Sequence, residues 1–112
     1  MPKSTGSDWS YAAASGGITG TSDVALQAAN ASQRHFLCSL QVKNSHASTA
    51  TEVVVKDGST VIWRMHCSAA ATEPACIVFD PPLVGTKNTA LNVACITNTT
   101  ATYVNAQGYT AP

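Results

Sequence analysis

The sequence predicts an all-β chain, and three observations carry that prediction. The segment from Thr51 to Cys67 reads Thr-Glu-Val-Val-Val-Lys-Asp-Gly-Ser-Thr-Val-Ile-Trp-Arg-Met-His-Cys. It is two β-branched runs joined at Asp57-Gly58, the strongest short-range hairpin signal a sequence can carry. Further short apolar runs lie on both sides of it, separated by Ser, Thr, Asn, Gly and Pro, the residues that favour turns. No stretch sustains a helical period of apolar positions. A chain of 112 residues supports a single core, burying roughly two-thirds of the surface that its unfolded form exposes.

The elements follow in chain order. Polar residues 1–7 read as a flexible N-terminal arm and 8–112 as the sandwich domain, which opens with a short aromatic strand around Trp9, Ser10 and Tyr11. Gly16-Gly17-Ile18-Thr19-Gly20 reads as a flexible turn rather than a ligand loop. A second strand, Asp23 to Ala28, alternates Val24, Leu26 and Ala28 on one face. The third, Arg34 to Asn44, is the longest: Phe36, Cys38, Leu40 and Val42 are expected inside, Ser39, Gln41 and Lys43 outside. Val53-Val54-Val55 in the first hairpin limb is apolar on both faces, so either both faces are covered or Val54 sits at a subunit contact. In the second limb Val61, Trp63, Met65 and Cys67 alternate with Ile62, Arg64 and His66.

A sixth run, Ala75 to Phe79, is expected to stop at Asp80-Pro81-Pro82, since proline cannot donate to a central ladder. Gly85-Thr86-Lys87-Asn88 is a turn, and the seventh run, Ala90 to Ile96, puts Leu91, Val93 and Cys95 inside. After a turn at Thr97-Asn98-Thr99-Thr100, the last strand, Thr102 to Tyr109, sets Val104, Ala106 and Gly108 against Tyr103, Asn105, Gln107 and Tyr109. About eight short antiparallel strands at this spacing predict one β-sandwich of jelly-roll type. An immunoglobulin-like sandwich is the alternative, weakened by the lack of that family's Cys, Trp, Cys spacing.

Charge narrows the function classes. Hydrophobic residues make up an ordinary 45%, but charged residues only 11%, with six bases cancelling six acids; an average soluble domain carries roughly 25% charge. Such a surface repels itself weakly and favours association with copies of itself or with a larger array. Lys3, Arg34, Lys43, Lys56, Arg64 and Lys87 are scattered singly, which argues against a phosphate-backbone partner. No run reaches the length of a membrane span, and Met1-Pro2-Lys3-Ser4 precedes no apolar signal core, so synthesis in the cytoplasm is expected. On that expectation Asn30-Ala31-Ser32 and Asn98-Thr99-Thr100 match the glycosylation pattern by chance.

The residues show no enzyme and no cofactor or metal site. Cys38, Cys67, Cys76 and Cys95 are too far apart for paired zinc knuckles, and His35, His46 and His66 fall in no ligand spacing. Cys38, Cys67 and Cys95 are expected inward as small apolar side chains, while a Cys67–Cys76 disulfide stays open if their strands face one another. Asp8, Asp23, Glu52, Asp57, Glu73 and Asp80 include no close pair in the sequence for two-carboxylate hydrolysis. His66 beside Arg64 reads as a surface histidine. Trp9, Tyr11, Tyr103 and Tyr109 would form a sugar-stacking platform if their strands neighbour one another, or else an inter-subunit contact.

Thr51-Glu52-Val53-Val54-Val55-Lys56-Asp57-Gly58, Val61-Ile62-Trp63-Arg64, Leu91-Asn92-Val93-Ala94-Cys95 and Tyr103-Val104-Asn105-Ala106-Gln107-Gly108-Tyr109 together resemble small β-rich virion proteins of tailed bacteriophages, over roughly the last two-thirds of the chain. That group includes capsid decoration, or cement, proteins that sit as trimers on the head. The resemblance implies a homotrimer bound to the major capsid protein on the capsid surface, without nucleic acid or membrane. In that setting Pro2, Lys3, Ser4, Thr5, Gly6 and Ser7 are the candidate capsid-contact arm. The alternative is a tail or fibre module that binds a receptor or carbohydrate through the aromatic residues.

Overall fold

The computed structural model describes residues 7–98 and 101–112. Eight strands are present among them: β1 (Ser7–Tyr11), β2 (Val24–Gln27), β3 (Arg34–Asn44), β4 (Thr51–Asp57), β5 (Thr60–Cys67), β6 (Ala75–Val84), β7 (Leu91–Cys95) and β8 (Thr102–Ala111). They form two four-stranded antiparallel sheets, β1-β8-β3-β6 and β2-β7-β4-β5. Calling the first sheet A and the second sheet B, each strand pairs with its mirror in chain order: β1 with β8, β2 with β7, β3 with β6, β4 with β5. The chain is therefore one long double ribbon closed at the β4–β5 hairpin and rolled until β3 meets β8 and β4 meets β7. That is the jelly roll, and the immunoglobulin alternative falls because its sheets have another order. Of the arm expected over residues 1–7, Ser7 opens β1 opposite Thr110; Pro2, Lys3, Ser4, Thr5 and Gly6 lie outside the described residues, as do Thr99 and Thr100 of the turn expected after β7.

The hairpin forms with its register moved by one residue. Asp57 pairs with Thr60, so the two-residue loop is Gly58-Ser59, and the left-handed backbone falls on Gly58, at φ 63°. Asp57 takes a different task from the expected turn position: its carboxylate accepts the Thr86 N–H at 3.0 Å and the Thr86 hydroxyl, tying the ribbon's closed end to the loop after β6.

Strand β3 departs from simple alternation. Leu37 pairs with Gly108 and Ser39 with Gln107, which leaves Cys38 as an extra residue on β3. An inserted residue swaps the faces on either side of it. His35 and Leu37 therefore point inward before the bulge, and Leu40, Val42 and Asn44 after it. Leu40 and Val42 fulfil the sequence expectation; Phe36 and Cys38 do not, and lie on the outer face, half buried. A second bulge, Ile62 on β5, opposes the Val55-Lys56 step; it packs Ile62 against the core and leaves Val61 37% exposed.

Proline did not end β6. The strand runs on through a cis Asp80-Pro81 bond to Val84, because β6 is a sheet edge and its ladder to β3 is already broken between Val78 and Leu83, opposite Cys38. The core is an aliphatic sheet-to-sheet layer of Leu26, Leu37, Leu40, Val42, Val53, Val55, Leu91, Val93, Val104 and Ala106. Trp63 of β5 meets Phe79 of β6 edge to face at 5.6 Å and closes one seam. The Gly16 to Gly20 segment is pinned rather than loose, since Ile18 is buried and its N–H donates to the Thr102 carbonyl at 2.7 Å.

Two buried polar groups are fully engaged, as low-dielectric surroundings demand. His35 Nε2 donates to the Ala28 carbonyl at 2.7 Å, and Nδ1 meets the Thr110 hydroxyl at 2.7 Å. Asn44 Nδ2 donates to the carbonyls of Thr49 at 2.9 Å and Cys67 at 3.4 Å, and Oδ1 accepts the His46 N–H at 3.1 Å.

Gly108 is required by the bulge. A Cβ there would sit 2.0 Å from the Phe36 carbonyl oxygen and 2.6 Å from Trp9 Cζ2, and the backbone atom cannot swing aside. Gly108→Ala is expected to cost about 3 kcal/mol or more, the upper range for forced overpacking. Urea unfolding checks this, and a loss under about 1 kcal/mol would show that the bulge is soft.

Candidate functional site

The two sheets present chemically different outer faces. On sheet B, Arg64 stands opposite Val54 in register and reaches to Glu52 at 3.0 Å, while Lys56 reaches Asp23 on the far side at 2.8 Å. Val54 and Ala94, paired across the middle of this face, are 0% and 1% exposed. The triple valine therefore needs no subunit contact: ion pairs of its own sheet roof it. The long side-chain stems cover the apolar strip while the charged heads stay wet.

Among the described residues no ion pair of this kind crosses the middle of sheet A. Tyr109 stacks on Phe36 with ring centroids 4.5 Å apart and planes 8° apart. Beside them, the Gln41 and Gln107 amides exchange hydrogen bonds at 2.9 and 3.0 Å, and the Ser39 hydroxyl donates to the Gln107 carbonyl oxygen. Each amide's donor and acceptor is thus partly spent within the face, leaving this middle stretch polar but uncharged. Val78 is 78% exposed and Val84 44%, both on the β6 edge.

Where Cys38 bulges, sheet A is hollowed into a depression of about 590 Å³ that reaches all four strands. Trp9, Cys38, Val78, Phe79, Gln107 and Tyr109 line it, with Asp8 and Asp80 as its acids. A volume in the range of ordinary ligand sites exists here because β6 breaks its pairing to β3 opposite Cys38. Toward the other end of the same face, Lys43 stands opposite Tyr103, which is 36% exposed.

The sequence-stated candidates separate. Strands β1 and β8 do neighbour one another, but Trp9 pairs with Gly108 and Tyr11 with Ala106, and both pack against the core. Tyr103 and Tyr109 face outward, six residues or about 20 Å apart along β8. Trp9 and Tyr109 both line the depression, whereas Tyr11 and Tyr103 do not, so the four rings form no single platform. Cys67 and Cys76 are not bridged: they lie on edge strands of different sheets, Cys67 buried and Cys76 exposed, and all four cysteines are free thiols. Among the described residues no group of three His, Cys, Asp or Glu is arranged to hold a metal ion. His66 is exposed on β5, as expected. Sequence reading missed the depression, and the Pro-Pro pair opposite an apolar-polar irregularity in β3 was the one signal that could have marked it.

The Cys67 thiol is held above the ordinary thiol range, first by burial and then by nearby Cys95, against a lowering hydrogen bond from the Val53 backbone. No protein-family model, curated protein or solved structure matches this chain.

Two outcomes are expected for the thiols. In the native protein Cys76 reacts first with a thiol-specific dye and Cys38 more slowly, while Cys67 and Cys95 react only on unfolding; prompt labelling of all four would mean the core opens readily. A raised folded-state pKa contributes stability that is complete below the unfolded thiol value of about 8.5 and is lost as pH climbs through the folded value. The stability gap between wild type and Cys67→Ser, measured by urea unfolding, should therefore narrow from pH 7.5 to pH 10.

Proposed function

We propose that this chain is a structural protein of a bacteriophage virion, a capsid-decoration (cement) module that binds the assembled head as a homotrimer and stabilises it. The observation that supports this reading is the asymmetry of the sandwich: sheet B is crossed by ion pairs, whereas sheet A offers a sparsely charged, partly apolar face with a depression in it. A face of that kind suits docking to protein. The sparse, balanced charge of the chain and the resemblance of its β4–β5, β7 and β8 segments to small phage virion proteins point the same way. The carbohydrate-binding alternative is less favoured, because of the four rings only Trp9 and Tyr109 reach the depression, while Tyr11 packs against the core and Tyr103 stands at the far end of the face.

Mechanistically the role is mass action. A protein that binds the assembled shell and not its separated subunits stabilises the shell, since disassembly must first release it. Weak contacts made by several linked copies add through effective concentration. Residues 1–6, directly ahead of β1, are the segment proposed to contact the major capsid protein. The working location is the capsid surface, after synthesis in the host cytoplasm.

Quantitative mass spectrometry of purified particles tests this directly: hundreds of copies per particle are expected, and a handful would transfer the protein to the tail or fibre. Deleting residues 1–6 should lower occupancy on heads at least about tenfold, equivalent to about 1.4 kcal/mol, with the thermal unfolding transition nearly unmoved. Unchanged occupancy would remove the arm from the contact.

A further inference from the structure

We propose that sheet A is the contact between copies, with the Lys43–Tyr103 end of one copy seated in the Asp80-rimmed depression of the next. This rests on the self-associating reading above and names the surface that reading leaves open. The two ends of the face are complementary. One is a concave site with apolar walls, Val78, Phe79 and Tyr109, and the carboxylate of Asp80 beside them. The other offers the matching groups: Tyr103, a partly exposed ring, stands in register with Lys43, a cation. Aromatic side chains are favoured anchors at protein contacts, and a cation placed against a carboxylate fixes the register of the two copies.

Neither Lys43 nor Asp80 takes part in an ion pair among the described residues, unlike Lys56 and Arg64 on the opposite face. Lys43 also sits five positions beyond Cys38 on β3, about 17 Å along the strand. One side chain cannot cover that distance, so within a single copy the cation and the depression stay apart. Because each copy carries both halves of the contact on one face, closure lets each copy make it twice, either reciprocally about a two-fold axis or head to tail around a ring.

Area favours a closed assembly. Four strands about 4.8 Å apart and about 30 Å long make a face of roughly 600 Å². Each contact uses about half of it per partner, or about 600 Å² in total, well under the roughly 1,200 Å² of a stable pair. A single such contact should therefore not persist, whereas a closed assembly in which each copy is held twice gains from effective concentration.

Sedimentation equilibrium of the full chain, with thermal unfolding to confirm folding, decides the matter. Wild type should show monomer in equilibrium with one closed oligomer, and no open-ended series of larger species. Lys43→Glu and Asp80→Lys should each weaken association at least about tenfold, and the double variant Lys43→Glu/Asp80→Lys should return to within about threefold of wild type. Ala25→Lys, on the outer face of sheet B, should change nothing. If Asp80→Lys does not fold, Asp80→Asn combined with Lys43→Gln replaces the swap, and the two losses should be less than additive. Intact association in both single variants, a double variant no better than the singles, or a chain that stays monomeric at every concentration would each overturn this contact. The virion reading is judged separately by the copy number on particles, so the two can fail independently.

Discussion

The arrangement of sheet A depends on a single inserted residue. Strand β3 is the longest in the molecule and is paired on both sides, to β8 and to β6. A strand in that position must present apolar side chains to the core along its whole length, and a strict alternation starting from Phe36 would instead bury Phe36 and Cys38 and expose Leu37. The bulge at Cys38 changes the phase once, so that Leu37 and Leu40 are both buried. Its consequences spread sideways through the ladders. Gly108 on one neighbour has no room for a Cβ, and on the other neighbour four residues, Phe79 to Pro82, loop across the gap between the Leu83 and Val78 pairings. The depression is what remains above this shared irregularity.

Scarce charge is spent unevenly. Sheet B's outer face carries four ionised side chains in two pairs, Glu52–Arg64 across β4 and β5 and Lys56 with Asp23 just before β2, around the buried Val54 and Ala94. Exposed pairs of this type add little stability, about 0–1 kcal/mol each. Their larger effect is to finish that face as a solvent surface, where the stems of Arg64 and Lys56 exclude water from the strip beneath. Sheet A instead satisfies its polar atoms internally, through the Gln41–Gln107 exchange and the Ser39 hydroxyl. Desolvating amides that already hold each other costs less than desolvating free ones, so this face can be covered by protein at a smaller penalty than the other.

The buried polar residues serve the ribbon rather than chemistry. His35 joins the loop after β2 to the end of β8, and Asn44 joins the end of β3 to the loop before β4 and to β5. Each places its bonds where two turns of the roll come together, so losing either would leave several buried partners unsatisfied. With these links, the Trp63–Phe79 seam and the Asp57–Thr86 tie, the sandwich is fastened at its edges as well as through its core.

Alternation and turn chemistry are local properties, and wherever they acted alone the chain could be read directly. The β4–β5 hairpin, the inward set Val104, Ala106 and Gly108, the core positions Leu91, Val93 and Cys95, and the all-β architecture of about eight strands all follow from period two and from glycine, asparagine and proline between runs. The phase of β3, the passage of β6 through its prolines, the inward turn of Trp9 and Tyr11, and the separation of Cys67 from Cys76 were decided by the tertiary fold. Each depends on which strand lies alongside and whether an edge is free, and a one-residue slip reverses every side chain beyond it. The hollow on sheet A belongs to that second group, because it is made jointly by four strands that come from both ends and the middle of the chain.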